Sequence, residues 1–236
     1  MATFVYGTKE IEYEIERGKR KNVSITVEPK KAVLLKVPEQ ISEEEIQKII
    51  LKKAYWIVQQ QFLMKEIDVQ KSVKQYINGE CFLYLGRRYT LQLVIDRAAE
   101  RPEVKLYRGK FTVTTNTKSQ EVIKNAMVRW YKEHAQLVIE KRIEYYLKFF
   151  DQKRGRIIIK DQEKRWASCN KQGDLMFNWK IVMAPANIID YVIIHEMCHL
   201  IYLNHSKEFW EEVGRVLPDY EERKNWLMNQ GVELDL

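Results

Sequence analysis

One stretch constrains this chain more than any other: Tyr191-Val-Ile-Ile-His-Glu-Met-Cys-His-Leu-Ile-Tyr-Leu-Asn-His205. It holds three of the four histidines in the sequence. His195 and His199 are four residues apart, so on a helix they lie about 40° apart around the axis, stacked on one face. Two neutral imidazoles so placed reach one Zn²⁺ at about 2.0–2.1 Å. Glu196, beside the first of them, is then positioned to act on a metal-bound water. This is the His-Glu-x-x-His pattern of zinc hydrolases. The flanks Val192-Ile193-Ile194 and Leu200-Ile201 predict a buried helix. Burying a His-Glu-His cluster is costly unless its polar atoms find partners, and a metal supplies them. The competing reading is an amphipathic helix whose histidines are simply packed.

A catalytic zinc site needs a third protein ligand and one open position. His205 lies ten residues after His195, the spacing at which metzincins place their third histidine. Tyr202 stands where metzincins have a turn glycine, so the chain must leave the helix differently. Asn204, which tolerates left-handed backbone, is the expected break, and Ser206 the expected cap of the next helix. Other third ligands stay open at this stage: Glu221 or Glu222 would give a His-His-Glu set, and Cys169 a His-His-Cys set. Asp219 reads as the cap of the last helix, with orientation of a ligand histidine as its alternative.

Composition bounds the rest. A chain of 236 residues with 45% hydrophobic and 31% charged residues is long and apolar enough for one or two globular domains. The start shows no signal-peptide pattern and no stretch is apolar enough to span a bilayer, so no membrane role is expected. Cys81, Cys169 and Cys198 form no Cys-x-x-Cys pair, which predicts buried thiols and a cytoplasmic location. The net charge of +7 invites a nucleic-acid or acidic partner through a basic surface. The densest basic run holds Lys153, Arg154, Arg156 and Lys160, and a solvated face explains it as readily. Nothing in the sequence indicates an oligomeric state.

Along the chain, residues 10–17, 23–27 and 32–37 alternate as strands, with a turn at Pro29-Lys30-Lys31. Ser42-Glu-Glu-Glu45 is a capping box opening a helix to about Ile67, with Ile46, Ile49, Ile50, Ile57 and Met64 at helical spacing and Trp56 and Phe62 as core or contact residues. Strands return at 82–85, 88–95, 104–107 and 111–114, and Cys81 is expected to be buried. Residues 119–150 predict a long helix with Ile123, Met127, Trp130, Val138 and Tyr145 on its buried stripe and His134 as a packed histidine, or else a group supporting the metal site. Strands at 156–160 and 175–181 flank a polar-aromatic loop or short strand at 165–170. Pro185 and Asn187 open the motif helix. The segment 174–180 is the expected exposed edge on which an extended substrate would add. The switch of pattern near Ser119 places a domain boundary between 1–115, a β-rich region with one helix, and 116–236.

Several segments together resemble a known family. Arg165-Trp-Ala-Ser-Cys, Asn178-Trp179, Asp190-Tyr-Val, His195-Glu-Met-Cys-His199, Asn204-His205-Ser206, Phe209-Trp210 and Leu217-Pro-Asp-Tyr-Glu-Glu-Arg223 are similar to the YgjP-like metallopeptidases. So are Gly79-Glu80 and Tyr84-Leu-Gly-Arg-Arg-Tyr89 upstream. The likeness departs at Ala167, where the family usually has glycine. It implies His195, His199 and His205 as zinc ligands, Glu196 as base and a zincin-like fold, related to SprT-like and WLM metalloproteases. Some of those relatives cleave proteins crosslinked to DNA.

The sequence therefore predicts an α+β chain: a zincin-like metallopeptidase domain with an active-site helix, preceded by a β-rich N-terminal region. The expected activity is Zn²⁺-dependent hydrolysis of a peptide or protein substrate, with Glu196 taking the proton of a metal-activated water. Tyr202 and Tyr220 are candidates for stabilising the oxyanion. Two alternatives stand beside it. One is a zinc amidohydrolase acting on a small molecule, and the other is a non-enzymatic nucleic-acid-associated module with structural zinc.

Overall fold

The computed structural model describes residues 2–7, 9–27, 32–66, 74–162 and 165–236, with backbone alone at 60, 62–66 and 232. The turn at Pro29-Lys30-Lys31, the helix end at Ile67 and the side chains of Phe62 and Met64 lie outside the described residues. The chain divides into two compact units, Met1–Lys71 and Ser72–Leu236.

The first unit is a mixed sheet and one helix. Strands β1 (Ala2–Tyr6), β2 (Lys9–Gly18), β3 (Ser24–Thr26) and β4 (Val33–Pro38) lie in the order β1-β2-β4-β3. Period-two alternation sends Ile11 and Tyr13 of β2 inward and its glutamates out, while β4 buries Val33, Leu35 and Val37. Helix α1 (Glu43–Glu66) opens on the expected reciprocal cap. Ser42 Oγ accepts the Glu45 N–H at 3.2 Å, and the Glu45 carboxylate accepts the Ser42 N–H at 3.3 Å. Ile46, Ile50 and Ile57 complete this core, whereas Trp56 stays 41% exposed.

The second unit begins with strands β5 (Cys81–Tyr84), β6 (Arg87–Ile95), β7 (Glu103–Tyr107) and β8 (Lys110–Thr115), ordered β5-β6-β8-β7. Both of its hairpins turn through two residues with positive φ: Leu85-Gly86 (49° and 76°) and Arg108-Gly109 (47° and 77°). Such turns match the twist of the strands they join. Helix α2 (Gln120–Leu147) follows. Its buried stripe is Ile123, Met127, Trp130, Tyr131, Ala135, Ile139 and Ile143. Tyr145, expected on that stripe, is 58% exposed, because the stripe advances by fours through Ile143 and leaves Tyr145 on the outer face. Cys81 is also exposed rather than buried. Phe82 points into the core, and alternation turns its neighbour out.

Strands β9 (Ile157–Lys160), β10 (Ala167–Cys169) and β11 (Leu175–Asn178) form a second sheet ordered β10-β11-β9. This corrects two expectations. The strand beginning at Leu175 ends at Asn178 and continues as a 3-10 helix, Trp179–Met183. The Asn178 side chain accepts the Lys180 N–H at 3.1 Å and donates to Gln162 O at 2.7 Å, which starts the turn. Strand β11 is also central, so the edges are β10 and β9, not 174–180. Helices α3 (Ala186–Cys198), α4 (Lys207–Val216) and α5 (Tyr220–Gln230) complete the chain.

The boundary expected at 115/116 falls inside the second unit. Phe82, Leu91, Phe111 and Val113 of the β5–β8 sheet share one core with Ile123, Met127 and Ile139 of α2 and with Ile189 and Ile193 of α3. The pattern near Ser119 changes the secondary structure without changing the core. Among the described residues no helix is long and apolar enough to cross a membrane.

This core fixes where α3 sits. The β5–β6 turn donates Leu85 N–H to Val182 O at 2.8 Å and Gly86 N–H to Met183 O at 3.1 Å. A Cβ on Gly86 would lie 2.9 Å from Pro185, so glycine permits the approach. On the other flank Arg142 of α2 forms an ion pair with the buried Asp190 of α3.

Candidate metal centre

Helix α3 is apolar on nearly every side, and ten of its thirteen residues are buried. It ends at Cys198, with His199 in right-handed conformation at the C-cap. The chain then tightens: Leu200 N–H donates to Met197 O at 3.0 Å, and Ile201 and Tyr202 N–H groups donate to Cys198 O at 3.1 and 2.9 Å. These bonds satisfy the last helical carbonyls. Asn204 is not among the residues with positive φ, so the left-handed break expected there is not made. Ser206 occupies the N-cap of α4 as expected, though its side chain caps no backbone N–H and bonds Glu208 instead.

This path brings the three histidines together. Ligand-capable nitrogens of His195, His199 and His205 all lie within 4.8 Å of one another. The Nε2 atoms of His195 and His205 are 3.0 Å apart. His199 Nδ1 lies 2.9 Å from Tyr202 O. A carbonyl only accepts, so Nδ1 carries the proton and Nε2 is left as the ligand nitrogen. Phe209, fully buried, sits against all three rings with centroids 5.0, 4.6 and 4.9 Å from those of His195, His199 and His205. Trp210 stacks on His205 at 5.6 Å and 22°, and on Tyr220 at 5.4 Å and 18°. Lys224 Nζ lies 4.3 Å from the Trp210 ring centre.

Burial, reinforced by His199, His205 and Lys224, holds His195 down to about 3. His205 is lowered in the same direction, first by burial and then by His199 and Lys224. Both rings are therefore neutral near pH 7, the state that binds a cation. Glu196 is buried, and burial pushes its carboxyl up to about 7 against the pull of Arg165 and of a hydrogen bond from the Cys169 main chain. Among the described residues Glu196 Oε2 and His195 Nδ1 are buried without a hydrogen-bond partner. Converging imidazoles beside an orphaned carboxylate oxygen fit a three-histidine metal site.

The other candidate ligands do not join this cluster. Among the described residues His195, His199 and His205 form the one group of three potential metal ligands. Cys169 is not part of that group, and burial raises its thiol to about 11. Glu221 accepts from Tyr220 Oη at 3.2 Å. Asp219 caps nothing with its side chain and instead pairs with Arg223 at 2.9 Å. His134 stacks on Trp130 with centroids 3.7 Å apart and places Nδ1 2.8 Å from Trp130 O, the packed role expected of it. Within the basic run, Arg156 pairs with Asp174 of the β10–β11 turn at 3.0 Å, and Arg154 donates to Gly155 O at 3.0 Å. The Tyr202 carbonyl and the Cys169 N–H left no trace in the sequence, since any residue offers them. Lys224, one turn after Tyr220, was legible only as an i, i+4 neighbour.

A family model described as YgjP-like, metallopeptidase domain, matches residues 21–230. Part of the chain is similar to the crystal structure of the metallopeptidase zymogen of Pyrococcus abyssi abylysin, at 23% identity and a TM-score of 0.37, covering 39% of this chain and 93% of that one. The corresponding zymogen of Methanocaldococcus jannaschii jannalysin gives 21% identity and a TM-score of 0.36, covering 39% and 95%. No curated protein matches the chain.

Proposed function

This chain belongs to the YgjP-like family of metallopeptidase domains, and we propose that it is a zinc-dependent peptidase of zincin-like design, with His195, His199 and His205 as metal ligands and Glu196 as general base. The observation that carries this reading is the convergence of three imidazoles within 4.8 Å beside an unpartnered carboxylate oxygen. Zinc suits three imidazole donors, and when bound it supplies Lewis acidity that polarises a carbonyl and acidifies water.

The protein's own groups do the rest. Glu196 Oε2 takes the proton of the attacking water and passes it to the leaving amine nitrogen. The Cys169 N–H holds the Glu196 carboxylate, and Tyr202 O fixes the His199 tautomer. Because Cys169 belongs to edge strand β10, an extended substrate pairing with β10 lies beside the base. A purely structural metal is disfavoured, since no fourth protein ligand joins the cluster among the described residues.

The test is Glu196→Gln. Zinc content should stay at the wild-type level while peptide hydrolysis falls about 10²–10⁴-fold. Hydrolysis retained by the zinc-loaded variant would sink the assignment of the base. His205→Ala should lose zinc, and full zinc affinity in that variant would show that the ligand set is wrong.

A further inference from the structure

Two cations near the metal centre, Lys224 and Arg165, are not used by the proposed chemistry. Lys224 is half-buried, and its Nζ packs on Trp210 at 4.3 Å. That indole in turn lies 5.6 Å from the His205 ring and 5.7 Å from the His195 ring. Among the described residues Lys224 makes no ion pair, and its charge is felt at both imidazoles. Arg165 approaches from the β10 side. Its main chain is tied to Asn178 at 3.4 Å, and its charge acts on Glu196. It too makes no ion pair among the described residues.

Like charges near a divalent cation oppose its binding. Three imidazoles contribute no negative charge, and Glu196 is the one carboxylate named at the centre. Lys224 is held on the indole that borders two of the ligand histidines, so its ammonium is placed to receive a negative group that arrives with the substrate. The aromatic face of Trp210 keeps the ammonium in place without neutralising it. The net charge of +7 acts in the same direction at long range.

We infer that the site selects peptides carrying a carboxylate next to the scissile bond, with Lys224 as the group that receives it. The inference rests on the peptidase reading. A carboxylate there comes either from an Asp or Glu side chain or from a free C-terminus, and the two share the same recognition chemistry. Lys224 is thus a specificity residue, and Trp210 positions it.

The experiment uses the zinc-loaded full chain. Cleavage of a neutral, amidated peptide is first mapped by mass spectrometry. Glutamate is then placed on either side of the mapped bond, and in a third peptide the amide is replaced by a free carboxylate close to the bond. Wild type should favour an acidic peptide over the neutral one by about tenfold or more in kcat/KM. Lys224→Met should bring that ratio near unity at unchanged zinc content, and Lys224→Arg should restore most of it. Which acidic peptide is favoured identifies the carboxylate. A ratio that Lys224→Met leaves unchanged overturns the inference. In parallel, glutarate binding is measured by calorimetry, and Lys224→Met should weaken it by about tenfold. If wild type cleaves no peptide, the peptidase reading fails, and the glutarate isotherm decides alone: equal affinity in wild type and Lys224→Met overturns the role of Lys224.

Discussion

Helices α3 and α5 border the same metal centre and are built in opposite ways. Helix α3 buries ten of its thirteen residues, including Glu196 and the turn that leads up to His195. Helix α5 buries none of its residues fully, and its Tyr220 and Lys224 both pack on Trp210. The proposed ligands and base thus sit where neighbours from α2, β10 and the β5–β6 turn limit their movement. The groups proposed to read the substrate sit where a side chain is exchanged at little structural cost. Precision is needed where bonds are made and broken, and a half-exposed rim is enough for a charge that acts over several ångströms.

The comparison is broken most severely at Phe209, which packs against all three imidazoles from the buried side. Phe209→Ala should cost about 3–5 kcal/mol of stability. It should also lower zinc affinity, because the rings lose their common support. Denaturant unfolding with zinc titration measures both, and an unfolding midpoint equal to wild type would mean that the rings are held by other means.

A smaller effect sharpens the electrostatic side. In the metal-free protein Glu196 stands at about 7 against an ordinary value of 4.5. The native state therefore binds the extra proton, and stability falls as pH rises from about 4.5 to 7. His195 works in the other direction. With its value near 3 against 6.5, it contributes stability above 6.5 that is lost as pH falls toward 3. Glu196→Gln removes the first dependence alone. In chelator, its advantage over wild type should grow by on the order of 3 kcal/mol between pH 4 and pH 8. Parallel pH–stability curves for the two proteins would show that the carboxyl is not desolvated.

The smallest effect is expected on α5. Asp219 pairs with Arg223 at 2.9 Å near the surface and makes no cap bond. Asp219→Asn should change stability by about 0–1 kcal/mol and leave zinc content unchanged. Loss of zinc in that variant would give the residue a part in orienting the ligands.

Much of the fold was legible before any coordinates. Three of the four strands of the first unit, the reciprocal cap at Ser42 and Glu45, and helices α2 and α3 follow from local periodicity and capping chemistry. What misled was the step from segment to neighbour. The strand at Leu175 was read as an edge because its sequence does not say which strands flank it. Tyr145 was placed inside because a long helix drifts relative to any short spacing rule. Cys81 was placed inside for being a cysteine, while the alternation set by Phe82 decided otherwise. The boundary at 115/116 took a change of pattern for a change of core.

The sequence by itself determined the chemistry that this chain is able to offer. His195, Glu196 and His199 share a helical face because of their spacing, and the apolar flanks require that helix to be buried. These are local consequences of backbone geometry and hydrophobic burial, so they can be read without a structure. Tertiary structure decided which groups meet. His205 converges on the pair because the chain turns tightly after Cys198 and returns as α4. Tyr202 O and Trp210 come to the centre through that same turn and α4, whereas the Cys169 N–H and Lys224 arrive from other segments of the chain. Main-chain donors and acceptors are common to nearly every residue, so only the fold singles them out.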